Sequence, residues 1–177
     1  GSQGALILNT RIGEAILELA ERSKNFQVIH ITGSAAATEE MQKLYQELEI
    51  ESYVNDFEEN MDKAWTAADL SITRAGASSI SEQIEMEVPG ILIPYPHAMD
   101  QHQEKNADFM VNDVKGAIRM DQKKLDAVQL AKCIAHFADS DRAEVRKYKT
   151  NIRNYKQKNR CRDLCSVVCE VTGQKLR

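Results

Sequence analysis

Apolar positions along the chain follow two alternating periods. Ile7, Leu8, Ile12, Ala15, Ile16, Leu19 and Ala20 recur every three or four residues, which predicts an amphipathic helix over 5–22. Residues 26–31 are few and β-branched and stop at Thr32-Gly33-Ser34, so they read as a strand. Met41, Leu44, Tyr45 and Leu48 return to helical spacing. A short strand at 51–54 runs into a loop over 55–60, followed by a short helix carrying Met61, Ala64, Trp65 and Ala68 and a strand at 70–73. The alternation continues with a helix at 77–86, a strand at 90–93 stopped by Pro94, a helix at 101–112, a strand at 117–120 and a helix at 125–137. From Asp141 onward the pattern is helical almost to the end.

Strands separated by helices must pair in parallel, because each crossover returns the chain to the same end of the sheet. The near-continuous apolar strands imply that both sheet faces are covered. The expected fold class is therefore α/β, a Rossmann-like doubly wound parallel sheet. It forms one domain over 1–177 that ends in a basic helical tail at 141–177. No repeat, low-complexity segment or linker interrupts it. The chain opens on a glycine loop feeding a helix, whereas in such folds that loop normally follows the first, central strand. Either Gly1-Ser2 is a vector remnant, or the chain is part of a longer protein.

Composition narrows the class further. Of 177 residues, 42% are hydrophobic and 28% charged, a core-forming balance rather than a disordered or fibrous one. A chain of this length buries about 70% of its unfolded surface without staples. No apolar run approaches the roughly 20 residues of a membrane span, and the amino end lacks a signal-peptide pattern. Three of the four cysteines, Cys161, Cys165 and Cys169, fall at helical spacing, which reads as a buried face rather than a disulfide framework or metal site and fits a reducing cytoplasm. The net charge of −4 divides unevenly: residues 141–177 carry eleven Lys/Arg against four acids, and the body twelve against twenty-three. The basic stretch reads first as a solvated helix face, with an anionic membrane surface as the functional rival. Nucleic acid is disfavoured because no aromatics interleave the charge.

In doubly wound sheets, ligands sit beyond the carboxyl ends of the strands, where helix amino-termini face anions. Three segments fall there. Gly1-Ser2-Gln3-Gly4-Ala5 is either a phosphate-binding loop or a turn with a Ser cap, and lacks the Gly-Lys-Ser/Thr of a Walker A loop. Arg74-Ala75-Gly76-Ala77-Ser78-Ser79-Ile80-Ser81-Glu82 offers hydroxyls and N–H groups at a helix start. Its Ser79-x-x-Glu82 spacing is a capping box, and its carboxylate also suits the two hydroxyls of a ribose. In the segment 94–107, His102 and Gln103 suit hydroxyl recognition. Asp100 with Gln103 is the capping alternative, and a metal site at His97, Asp100 and His102 matches no tight ligand spacing. Asp56-Phe57-Glu58 is a weaker fourth feature, an aromatic that packs on a base or belongs to the core. Asp139-x-Asp141 reads as a cap for the last helix.

These segments, with His30-x-x-Gly33, Asp56-Phe57-x-x-Asn60-Met61, Arg74-Ala75-Gly76-Ala77-x-Ser79-x-x-Glu82 and His102-Gln103-x-x-Asn106-Ala107 in register, resemble the carboxyl-terminal half of the MurG family. That family transfers N-acetylglucosamine (GlcNAc) from UDP-GlcNAc to the lipid-linked muramoyl-pentapeptide precursor of peptidoglycan. The resemblance implies the donor-binding half of a GT-B glycosyltransferase, with no metal or cofactor. It implies Ser2 and the Gly4 loop by the diphosphate and the Phe57-Glu58 backbone on the uracil edge, with Phe57 and Met61 packing near the ring. Ala77, Ser78 and Ser79 would meet phosphate and sugar, Glu82 the ribose, and His102 and Gln103 the GlcNAc hydroxyls. Three positions depart from the family's habit: Glu58 stands where Ile is common, Ser79 where Thr is common, and His102 where some members carry Gln. The implied setting is cytoplasmic, peripheral on the inner face of the plasma membrane. The acceptor site and candidate base belong to an amino-terminal domain absent here, so this chain is expected to bind donor without catalysing transfer. Two rival classes remain: another GT-B UDP-GlcNAc enzyme such as an epimerase, and a non-catalytic nucleotide-sugar-binding module.

Overall fold

The computed structural model describes residues 2–98, 101–138, 141–159 and 171. Helices and strands alternate as α1 (Ser2–Ala20), β1 (Val28–Ile31), α2 (Ala35–Glu47), β2 (Ser52–Asn55), α3 (Met61–Ala67), β3 (Ser71–Thr73), α4 (Ala77–Met86), β4 (Gly90–Leu92), α5 (His102–Phe109), β5 (Ala117–Arg119), α6 (Ala127–Phe137) and α7 (Ala143–Lys158). A single wide π turn, Met110–Val114, continues α5, and a 3₁₀ turn, Gln122–Lys124, precedes α6. The strands form two parallel ladders, β1–β2 and β3–β4–β5. The first pairs Val28 with Ser52 through Ile31 with Asn55; the second aligns Ser71, Gly90 and Ala117.

Strand β4 shows how the layers are built. Ile91 and Ile93 belong to one apolar cluster with α1, α2 and α6, whereas Leu92 belongs to a second with α4, α5 and α7. All three are fully buried, as the two-residue period of a strand covered on both faces requires. The ladders match the 3-2 and 4-5-6 parts of the doubly wound order 3-2-1-4-5-6. β1 and β3, the inner strands on this numbering, are not paired with each other.

Two expectations change. The amino-terminal glycine segment is not a loop: Ser2 and Gly4 lie in the first turn of α1. The helical period of the following residues runs back through them, and a single glycine near a helix end costs only about 1 kcal/mol against Ala. The Ser79–Glu82 capping box is not formed either. The N-cap of α4 is Gly76 in an extended conformation, so Ser79 already lies inside the first turn. The proposed caps at Asp100 and Asp139, and the Cys161, Cys165 and Cys169 face, lie outside the described residues. Asp141 does serve the last helix, its Oδ1 accepting from Ala143 N at 2.8 Å.

The basic stretch is engaged by the body. Arg142 and Lys149 reach Asp69, Arg153 pairs with Glu87 at 2.8 Å, and Lys156 pairs with Glu85 at 2.9 Å. Beneath these pairs Ile152 is fully buried and packs over Gly116. Arg160 and Arg162 lie outside the described residues.

Candidate functional site

The loops beyond the strands' carboxyl ends carry most of the candidate residues, and hydrogen bonds fix them to one another. At the end of β1, Thr32 N and Gly33 N donate to Asn55 O and Asp56 O, extending the ladder into both loops. Gly33 has φ +78°, a left-handed value that favours a residue without Cβ. Behind it a buried network binds α1 to β1 and α2. Asn9 Nδ2 donates to Thr32 O at 2.9 Å, His30 Nε2 meets Asn9 Oδ1 at 3.1 Å, and His30 Nδ1 meets the Tyr45 hydroxyl at 2.8 Å. The amide's orientation on Thr32 leaves Oδ1 as acceptor, so Nε2 carries the imidazole proton and Tyr45 donates to Nδ1. Burial pushes the His30 pKa down to about 4.

After β2, the Glu58 carboxylate is held on both oxygens, by the Tyr53 hydroxyl at 2.7 Å and Asn60 N at 2.7 Å. These donors hold its pKa below the usual carboxylate value. Phe57, beside it, is 70% exposed. An exposure this large takes the ring out of the core, which removes the core reading of this residue. Met61 follows at the start of α3, half-buried.

After β3, Ala77 and Ser78 are exposed and Ser79 half-buried in the first turn of α4, where backbone N–H groups have no intrahelical acceptor. Glu82 is exposed, and its Oε2 accepts from Trp65 Nε1 at 2.7 Å. This bond ties α3, which follows β2, to α4, which follows β3. The periodicity had marked Trp65 only as an apolar helix position; its indole N–H, a donor that a buried ring must satisfy, was the missed signal.

The loop after β4 is braced from three sides. Arg74 donates to Ile93 O at 3.0 Å and lies over the Tyr95 ring. Tyr95 N donates to Gln103 Oε1 at 2.9 Å, and Asn106 Nδ2 donates to Ala75 O at 2.9 Å. Gln103 therefore spends its carbonyl oxygen on the loop and keeps its amide hydrogens for other acceptors. His102 is exposed at the start of α5. Among the described residues no cluster of three or more His, Cys, Asp or Glu side chains is arranged to hold a metal ion.

A parallel α/β domain whose loops and helix amino-termini gather beyond the strands' carboxyl ends is of the Rossmann-like class, a fold in which ligands commonly bind at that end. Within that class, residues 1–164 match the glycosyltransferase family 28 C-terminal domain, and the chain belongs to that family. It is 42% identical over 177 residues to a protein of Protochlamydia amoebophila named UDP-N-acetylglucosamine--N-acetylmuramyl-(pentapeptide) pyrophosphoryl-undecaprenol N-acetylglucosamine transferase, covering 99% of this chain and 46% of the relative. A protein of the same name from Chlamydia pneumoniae is 36% identical over 170 residues, 96% of this chain and 47% of its own. The crystal structure of Acinetobacter baumannii MurG superposes with a TM-score of 0.75 at 29% identity, over 87% of this chain and 43% of that one. The chain thus spans about half the length of the curated relatives it matches.

Proposed function

We propose that this chain is the donor-binding domain of an N-acetylglucosaminyltransferase that moves GlcNAc from UDP-GlcNAc to the lipid-linked muramoyl-pentapeptide of peptidoglycan synthesis. The observation that carries the reading is Glu82: one oxygen is fixed by Trp65, and the other makes no hydrogen bond among the described residues. A ribose offers a vicinal pair of hydroxyls to such a group. Phe57 and Met61 flank the uracil, whose edge meets the backbone at Phe57-Glu58; the Tyr53 and Asn60 bonds to Glu58 hold that turn still. The first turn of α4, through Ala77, Ser78 and Ser79, and the amino end of α1 at Ser2 and Gly4 take the diphosphate. Both are helix starts, where N–H groups and the macrodipole favour anions. His102 and the Gln103 amide meet the GlcNAc hydroxyls. No metal is needed in this scheme, because helix ends and side chains stabilise the leaving diphosphate.

Transfer belongs to the longer protein. Its remaining part supplies the acceptor site and the base that deprotonates the acceptor hydroxyl, and holds the two substrates in line. Its place is cytoplasmic, peripheral on the inner face of the membrane that carries the lipid-linked acceptor. The basic stretch adds an anionic-membrane contact through the charges its ion pairs leave over, Lys158 among them.

Calorimetric titration of this chain with UDP-GlcNAc, UDP and ADP tests the assignment. Uridine ligands are expected to bind in preference to ADP, and Glu82→Ala to weaken them by about 1.5–3 kcal/mol, the value of a hydrogen bond to a charged group. Equal binding of ADP, or an unaltered affinity in the variant, would sink the donor-site reading. Turnover of UDP-GlcNAc without acceptor by the longer protein would favour an epimerase instead.

A further inference from the structure

We propose that Trp65 is a positioning residue of the nucleotide site, holding the Glu82 carboxylate in the geometry that accepts the ribose hydroxyls. This rests on the reading of Glu82 as the ribose ligand. Three observations carry it. Trp65 is 6% exposed, and its Nε1 donates to Glu82 Oε2 at 2.7 Å. Glu82 is an exposed side chain, which in solvent samples several rotamers on three torsions. The bond also crosses between two elements, α3 and α4, that pack on each other.

A buried indole cannot swing out to water, so it fixes the carboxylate at one oxygen and leaves the other without a hydrogen bond among the described residues. An indole N–H only donates; it therefore competes for one lone pair of the carboxylate and never for the ribose. Ordering a long side chain on binding costs a factor of roughly 3 to 10 in affinity, and a carboxylate already fixed avoids that loss. The same bond would serve a purely structural end if Glu82 were there only to satisfy the indole. The two roles differ in what a ribose lacking hydroxyls should feel.

The test compares UDP with 2′,3′-dideoxy-UDP on the wild-type chain, Trp65→Phe, Glu82→Gln and the double variant. Trp65→Phe is expected to lose roughly 3- to 10-fold on UDP and nothing on the dideoxy nucleotide. The double variant should bind UDP no more weakly than Glu82→Gln alone. Equal losses on both nucleotides, no loss on UDP, or additive losses would overturn the proposal while leaving the site reading intact. A wild-type chain that fails to distinguish the two nucleotides would overturn the reading of Glu82 itself, and the role of Trp65 with it. Trp65 is the single tryptophan of the chain, so a second readout needs no change at that position. UDP should change its emission, and dideoxy-UDP, or UDP on Glu82→Gln, should not. An emission response that is the same in all three cases counts against the coupling, even where Trp65→Phe fails to fold.

Discussion

His30 is the residue whose charge state the fold constrains most firmly. Its ring lies between α1 and α2, accepting from Tyr45 and donating to Asn9, and burial lowers its pKa from 6.5 to about 4. The unfolded chain therefore takes up a proton more readily than the folded one. The stability that His30 contributes as a neutral ring is complete above pH 6.5, falls as the pH drops through the unfolded pKa, and stops falling near pH 4. Between pH 7 and pH 5 this amounts to about 2 kcal/mol. Urea unfolding at the two pH values should show that loss in the wild type, and His30→Gln should show a distinctly smaller one. An equal loss in both would mean that other groups set the acid limit. The motif His30-x-x-Gly33 was legible as a motif, but the network behind it was not, because Asn9 and Tyr45 are 21 and 15 residues away from His30 in sequence. Glu82 and Phe57 could be named as candidates from their segments alone, each beside a plainer alternative, a capping partner for Glu82 and a core ring for Phe57. Their neighbours Trp65 and Tyr53 passed as ordinary apolar positions, since only the fold shows where a polar tip points.

At the scale of elements, the alternation of periods located each α-helix and strand among the described residues, and what it missed was their ends and the short turns Met110–Val114 and Gln122–Lys124. The strands proved shorter than their apolar runs, as at β4, where Ile93 lies beyond Gly90–Leu92 yet is as buried as the strand itself; burial, which the pattern reports, outlasts pairing, which it does not. The wide turn Met110–Val114 at the end of α5 was also invisible, because it keeps Met110 and Val114 buried as a plain helix would. It ends on Lys115 at φ +58°, a left-handed conformation that a side chain disfavours. Lys115→Gly should therefore stabilise the domain by about 0.5–1 kcal/mol, seen as a melting temperature higher by a few degrees. The next residue behaves oppositely. A Cβ on Gly116 would stand 2.5 Å from Ile152 Cγ1, closer than packed atoms allow, so α7 would have to move. Gly116→Ala is expected to cost about 1–3 kcal/mol by overpacking, and combined with Ile152→Ala, which removes both contacting atoms, it should cost less than the sum of the two single changes, a coupling that a double-mutant cycle in urea measures directly. Strict additivity would mean that the two side chains do not meet.

Across the whole molecule, charge is arranged so that the basic helix lies against the acids it would otherwise leave unbalanced. The pairs Arg153–Glu87 and Lys156–Glu85 connect residues 66 and 71 positions apart, so the excess of cations counted over 141–177 exceeds what the folded surface presents. That distinction bears on the membrane. Attraction to an anionic bilayer depends on cations near its surface, and a cation already facing a carboxylate contributes less than its formal charge. Glu85→Gln with Glu87→Gln should remove the countercharges of Lys156 and Arg153 and raise co-sedimentation with phosphatidylserine-containing vesicles. The proper control is Glu39→Gln with Glu40→Gln, an exposed pair on α2 that changes net charge equally and frees neither cation. If the basic face of α7 is what meets the membrane, the first pair of substitutions strengthens binding more than the second, and added salt erases the difference as it screens surface charge. Equal effects from both pairs would show that vesicles sense only net charge, and the basic face of α7 would then not be the contact.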